Sequence, residues 1–155
     1  MDVYRKKAVG ETTAIIIGDI RLGLETKEVT KVLPVNNMDI QYFGKWNLLD
    51  NNDPGISASF NGHAVQSNKE FEYLEFKLKS NQFRLIGKKD VNASSFDVYI
   101  NNQRVAENIS TASNRTEEKA WLYTFADSEL DPNKEHIVKI VNKEDKPLTL
   151  NFFAY

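Results

Sequence analysis

The side chains that carry covalent or metal chemistry are few in this sequence and poorly spaced for it. Its 155 residues include two histidines, His63 and His136, and no cysteine. That removes disulfides, thiolate nucleophiles and cysteine-based metal sites, and two isolated histidines do not make a zinc centre. Carboxylates are plentiful but not usefully paired. Glu117 and Glu118 are neighbours in a segment that reads as solvated loop. Glu72 and Glu75 fall on opposite faces of a strand, which disqualifies them as the two carboxylates that flank a glycosidic bond. Asn51-Asn52-Asp53-Pro54-Gly55 combines oxygen ligands with turn chemistry, so it reads as a plain turn, with a structural calcium as the alternative.

Residues suited to recognition are better represented. A tryptophan ring packs against the C–H face of a sugar while polar neighbours bond its hydroxyls. Trp46 lies within a predicted strand and Trp121 at the start of another, and either a core role or a place on a binding rim is open to each. His63 follows Asn61-Gly62 in a polar loop, as a donor to a hydroxyl or as a solvated side chain. Lys88–Ser95 (KKDVNASS) offers Lys88, Lys89 and Asn92 as further donors and acceptors, although such composition is also ordinary for a surface loop. His136 starts the run EHIVKIV and reads as a structural residue beside a turn.

Strands must position these groups. Beyond the β-branched Thr12–Ile17, the alternating Ile20–Leu24 and the extended Val29–Leu33, the candidates are Ile40–Leu49, Glu70–Leu78, Gln82–Gly87, Ser95–Asn101, Arg104–Ile109, Ala120–Ala126, Glu135–Asn142 and Pro147–Ala154. Asn, Asp, Gly, Pro and Lys-rich turns separate most of them. Period-2 alternation sets Phe71, Tyr73 and Glu75 on one face, and Trp121, Tyr123 and Phe125 on another. The sequence shows no convincing helical period, and Thr116–Ala120 is one helical turn at most. About ten short strands predict an all-β, antiparallel sandwich. Pro34–Asp39 (PVNNMD) marks the one boundary. Residues 1–38 are too few to fold alone and are expected to pair onto the main sheet or to serve as an attachment arm; residues 39–155 form the domain.

Composition excludes several classes of partner. The chain is 41% hydrophobic and 27% charged with a net charge of −2, so no basic surface invites nucleic acid or anionic lipid. No segment approaches the roughly 20 apolar residues that span a bilayer. The N-terminal MDVYRKKAVGETTAIIIGDI does not read as a signal peptide.

From Tyr42 onward, the order of features resembles one family. A tryptophan strand (FGKWNLL) is followed by a Gly-His loop (NGHAVQSN), the strand FEYLEFKL, and NQFRLIGKK, which ends in glycine. Then come a polar loop, FDVYINNQRV, WLYTFADSEL, a turn into EHIVKIVN, and a terminal LNFFAY. This resembles the galactose-binding-domain-like jelly roll, a family that includes many carbohydrate-binding modules and accessory domains of glycosidases and SGNH-type esterases. The hairpin that reads Asp-Gly in the family is Asn101-Asn102 here, which is compatible because Asn tolerates the positive φ of a primed turn. Asn151 stands where the family often has Asp, which weakens the carry-over of a structural calcium. IIIGDIRLGLE also resembles the opening block of SGNH hydrolases, but Ile20 occupies the nucleophile position and cannot attack an ester.

The resemblance implies a non-catalytic module that recognises a glycan at one end of a β-sandwich. The loops around residues 50–54, 61–68, 88–95 and 111–119 would supply hydrogen bonds, and the candidate contact residues are Trp46, Asp53, His63, Lys88, Lys89, Asn92 and Trp121. No cofactor is expected apart from the calcium alternative. The expected setting is extracellular, cell-surface or virion, as part of a larger enzyme or assembly, with a homo-oligomer compatible. Two alternatives stand beside it: an assembly protein of a phage tail or cell-surface complex that binds no sugar, and the accessory domain of an SGNH-type esterase.

Overall fold

A computed structural model describes residues 31–49 and 63–155. The expected strands at Thr12–Ile17 and Ile20–Leu24, and the turn containing Asp53, lie outside the described residues. Eleven strands are described: β1 (Val32–Pro34), β2 (Gln41–Phe43), β3 (Asn47–Leu49), β4 (Ala64–Ser67), β5 (Tyr73–Leu78), β6 (Gln82–Lys89), β7 (Ser95–Ile100), β8 (Gln103–Ser110), β9 (Glu117–Ala126), β10 (His136–Asn142) and β11 (Leu148–Ala154).

They form two antiparallel sheets. One runs β3-β4-β11-β6-β9, with β1 also paired to β11; the other runs β2-β5-β10-β7-β8. Apart from β3–β4 and the β7–β8 hairpin, each strand is followed by one in the opposite sheet. This is the jelly-roll sandwich expected from the sequence. Alternation along the strands sends one side chain in two to the interface between the sheets. There Leu74, Leu85, Phe96, Val98, Ile140, Leu148, Leu150 and Phe153 are all fully buried. Strand β1 pairs with the C-terminal half of β11, and Val35 just after it is also fully buried.

Three local expectations are corrected. Ile40–Leu49 is two strands in different sheets, because Gly44 at φ 103° turns the chain between them. Thr116–Ala120 makes no helical turn: strand β9 begins at Glu117 and pairs with β6. Strict alternation in WLYTF also fails. Leu85 pairs with Tyr123 and Ile86 with Trp121, so Leu122 is an extra residue, and this bulge reverses the side on which Trp121 lies. Leu122 and Phe125 enter the main core, while Trp121 packs with Ile86 and Phe152 in a second cluster.

The β7–β8 turn follows its sequence reading. Asn101 and Asn102 sit at φ 51° and 67°, both left-handed as a type I′ turn requires. The Asn101 side chain accepts from the Ile137 N–H (2.9 Å) and lies 3.1 Å from Nδ1 of His136, whose Nε2 lies 2.8 Å from the Asp131 carbonyl. His136 is buried at the start of β10, joining two turns.

Candidate functional site: a tryptophan hollow at the sandwich edge

Trp46 lies in the short crossing from β2 to β3, at the lateral edge where the two sheets are both represented by three-residue strands. Its indole N–H donates to the carbonyls of Phe43 (3.2 Å) and Tyr73 (3.1 Å), which fixes the ring plane. One side packs on the core beside Tyr42, with ring centroids 6.0 Å apart. The crossing itself is anchored by Glu72, which accepts from the Lys45 N–H (2.5 Å) and from the Ser67 hydroxyl (2.6 Å).

The ring helps to line an open hollow of about 260 Å³ between the Asn36–Ile40 turn and β2–β4. Tyr42, Met38, Leu48 and Val65 supply its apolar wall, and Asn36 and Asn37 supply amides at the rim. Tyr42 holds the turn in place by donating its hydroxyl to the Val35 carbonyl. Burial pushes the Tyr42 phenol up to about 12, so it stays neutral and protonated. Among the described residues, no carboxylate, amine or imidazole lines the hollow. The described lining can stack a ring and bond hydroxyls through amides.

The other candidate residues lie elsewhere. Lys88, Lys89 and Asn92 stand at the β6–β7 crossing, three strand spacings, or roughly 14 Å, from Trp46 in either sheet. Their loop is tied to the β8–β9 loop through Asp90. The Asp90 carbonyl accepts from the Ala93 and Ser113 N–H groups, its N–H donates to the Thr111 carbonyl, and its carboxylate takes the Thr116 hydroxyl (2.8 Å) and the Val91 N–H (2.9 Å). The Thr116 hydroxyl, first, and these other partners hold the Asp90 carboxyl below its ordinary range. Lys88 lies 3.7 Å from both Asp90 and Glu118, Asn92 is exposed in a left-handed turn (φ 62°), and Ser94 and Ser95 are buried.

His63 precedes β4, and its carbonyl accepts from the Asn151 side chain (3.2 Å). Trp121 lies on the outer face of the six-stranded sheet, donating to the Thr124 hydroxyl (2.6 Å) with the Arg84 guanidinium 5.7 Å from its ring. Asp53 lies outside the described residues. Among the described residues, no group of three or more His, Cys, Asp or Glu is placed to hold a metal ion. Sequence reasoning singled out Trp46 as a candidate but not Asn36, Asn37 and Met38, which line the hollow beside it. Asn36, Asn37 and Met38 lie in PVNNMD, whose Pro-Asn-Asn composition reads first as a boundary.

No protein-family model matches the chain, and no curated protein does so either. Solved structures do. A family 35 carbohydrate binding module from Clostridium thermocellum matches with a TM-score of 0.52 at 10% identity, covering 80% of this chain and 95% of that one. The CBM36-1 domain of a multidomain xylanase from the hindgut metagenome of Trinervitermes trinervoides gives 0.51 at 14%, covering 80% and 94%. A family two carbohydrate esterase from Cellvibrio japonicus gives 0.52 at 15%, where the match covers 80% of this chain but 32% of the esterase. The chain shares the jelly-roll β-sandwich fold of the matched regions of these structures.

Proposed function

We propose that this chain is a non-catalytic glycan-binding module and that the hollow around Trp46 is its principal site. The observation that carries this is the hollow's lining among the described residues: a tryptophan ring held by two backbone bonds, two asparagine amides, and no ionisable group but a protonated phenol. Such a surface recognises hydroxyls and C–H faces and supplies no nucleophile or base. The fold supports the reading, because the two modules it matches are matched over nearly their whole length. A shallow site for a small sugar gives weak affinity, so the module is expected to work within a larger enzyme or in many copies on an assembly.

With two tryptophans in the chain, the indole N–H signals offer a direct test. Saccharides found on a glycan array, titrated into labelled protein, should shift the Trp46 resonance and leave that of Trp121 in place. A shift confined to Trp121, or an array with no signal, overturns the assignment. One further reading has an observation behind it: the match to about a third of a carbohydrate esterase is what an accessory domain of an SGNH-type esterase would show. The intact chain should then still show no turnover of aryl esters, and a longer parent would carry the hydrolase.

A further inference from the structure

The outer face of the five-stranded sheet carries aromatic rings that the core does not use. Phe43 and Tyr73 face each other across β2 and β5, with ring centroids 4.5 Å apart and planes 21° apart. On the next strand but one, Tyr99 stands level with Glu75, two residues along from Tyr73. Between the two tyrosines lies Lys139 of β10, its ammonium 4.8 Å from the Tyr73 ring and 4.9 Å from that of Tyr99. Leu74, Phe76, Val98 and Ile140 fill the opposite face of the same strands. The outer rings therefore have no packing duty toward the core.

At the loop end of this face stands Phe71, 64% exposed, with φ at 73°. A bulky residue in that region is strained. The strain is held by the Phe71 N–H donating to the Asn142 carbonyl at 2.7 Å, with the Asn142 N–H returning to Glu72 at 2.8 Å. A costly backbone state thus holds an aromatic ring out in solvent beside the row.

We propose that this face is a second carbohydrate site, taking a linear, uncharged polysaccharide laid across the strands. Tyr73 and Tyr99 stand on either side of β10, offset by two residues along the strands, and with their rings 4.8 and 4.9 Å from one ammonium their centroids are at most about 9.7 Å apart. That is about the span of two pyranose rings. A chain lying along the row would set alternate sugars on the tyrosine rings and present the intervening hydroxyls to Lys139 and Glu75, which pair in register. The centre of a protein–protein interface is depleted in Lys and Glu, whereas here they occupy the middle of the row. Around the row the described cations are engaged, which disfavours an acidic polymer there, and the exposed Lys77 stands apart at the end of β5. Lys143 and Arg104 are matched by Asp97 at 3.2 and 3.8 Å, and Lys139 is shared between two ring faces beside Glu75.

The proposal rests on glycan binding as the function, but not on the Trp46 hollow. The experiment is affinity electrophoresis of the intact chain in gels containing soluble xylan, mixed-linkage β-glucan or galactomannan, at low and high salt. Tyr99→Ala and Lys139→Ala should each weaken retardation by about tenfold. Phe71→Gly should weaken it too while keeping or raising the melting temperature, because glycine relieves the positive φ. Retardation should not depend on salt. Tyr99→Ala or Phe71→Gly protein that melts as wild type and is retarded as wild type overturns the proposal. So does strong salt sensitivity, or retardation lost with Trp46→Phe alone, which leaves the hollow as the single site. If wild-type protein is retarded by no polysaccharide, yet short saccharides still shift the Trp46 indole signal, the face is refuted and the hollow stands. Failure of both readouts refutes glycan binding itself.

Discussion

Gly87 shows how little room single residues have in this sandwich. A Cβ built there would lie 2.4 Å from the Thr149 carbonyl and 2.6 Å from the Leu122 side chain, so β11 and the β9 bulge close over it. Gly87→Ala should cost about 1–3 kcal/mol by overpacking, read as a fall in the denaturant midpoint. The glycine of NQFRLIGKK was legible as part of a family pattern, but its physical reason was not, because Leu122 arrives through a bulge that period-2 reading cannot anticipate. Asn101-Asn102 was legible in full, since a primed turn leaves a local signature in residue type. Phe71 was not: alternation placed it in a strand, whereas a contact with Asn142, 71 residues further along the chain, holds it left-handed.

At the scale of elements, the polar segment between β6 and β7 is built as a latch. Asp90 joins it to the β8–β9 loop through its backbone and carboxylate, and Ser95 is bonded to Glu144 on the β10–β11 loop at 2.9 Å. The Asp90 and Glu144 carboxyls are both held below their ordinary range, Asp90 chiefly by the Thr116 hydroxyl and Glu144 chiefly by the Ser95 hydroxyl. A carboxyl whose folded pKa is depressed stabilises the fold above its unfolded pKa, and that contribution is lost as pH falls through the folded value. Melting temperature should therefore fall with acid below about pH 4.5, and Asp90→Asn should flatten that acid limb by lowering the melting temperature near neutral pH while changing little in acid, where the wild-type carboxyl is already neutral. An acid limb as steep in Asp90→Asn as in wild type would show that Asp90 carries none of it. Sequence composition identified this loop as polar, but composition cannot tell donors that face solvent from donors that face the neighbouring loop.

At the scale of the whole molecule, the two sheets are joined by more than apolar packing. Asn142, at the end of β10 and fully buried, bonds Ser67 of the other sheet through its amide nitrogen (3.0 Å) and takes the Ser94 hydroxyl on its oxygen (2.5 Å). It also donates to the Lys146 carbonyl and accepts from the Glu144 N–H. Four segments of the loop end thus meet on one amide. Asn142→Ala removes every one of these side-chain bonds at once from a fully buried position, a cost of roughly 2–4 kcal/mol. For a chain of this size that is a fall of roughly 5–15 °C in melting temperature. The consequence reaches both proposed sites. The Asn142 backbone holds Phe71, and its side chain bonds Ser67, whose hydroxyl in turn bonds the Glu72 that anchors the Trp46 crossing. Asn142→Ala protein held well below its melting temperature should therefore bind polysaccharide more weakly, although Asn142 touches neither site. Unchanged binding by the folded variant would mean that the hollow and the sheet face are positioned independently of this hub.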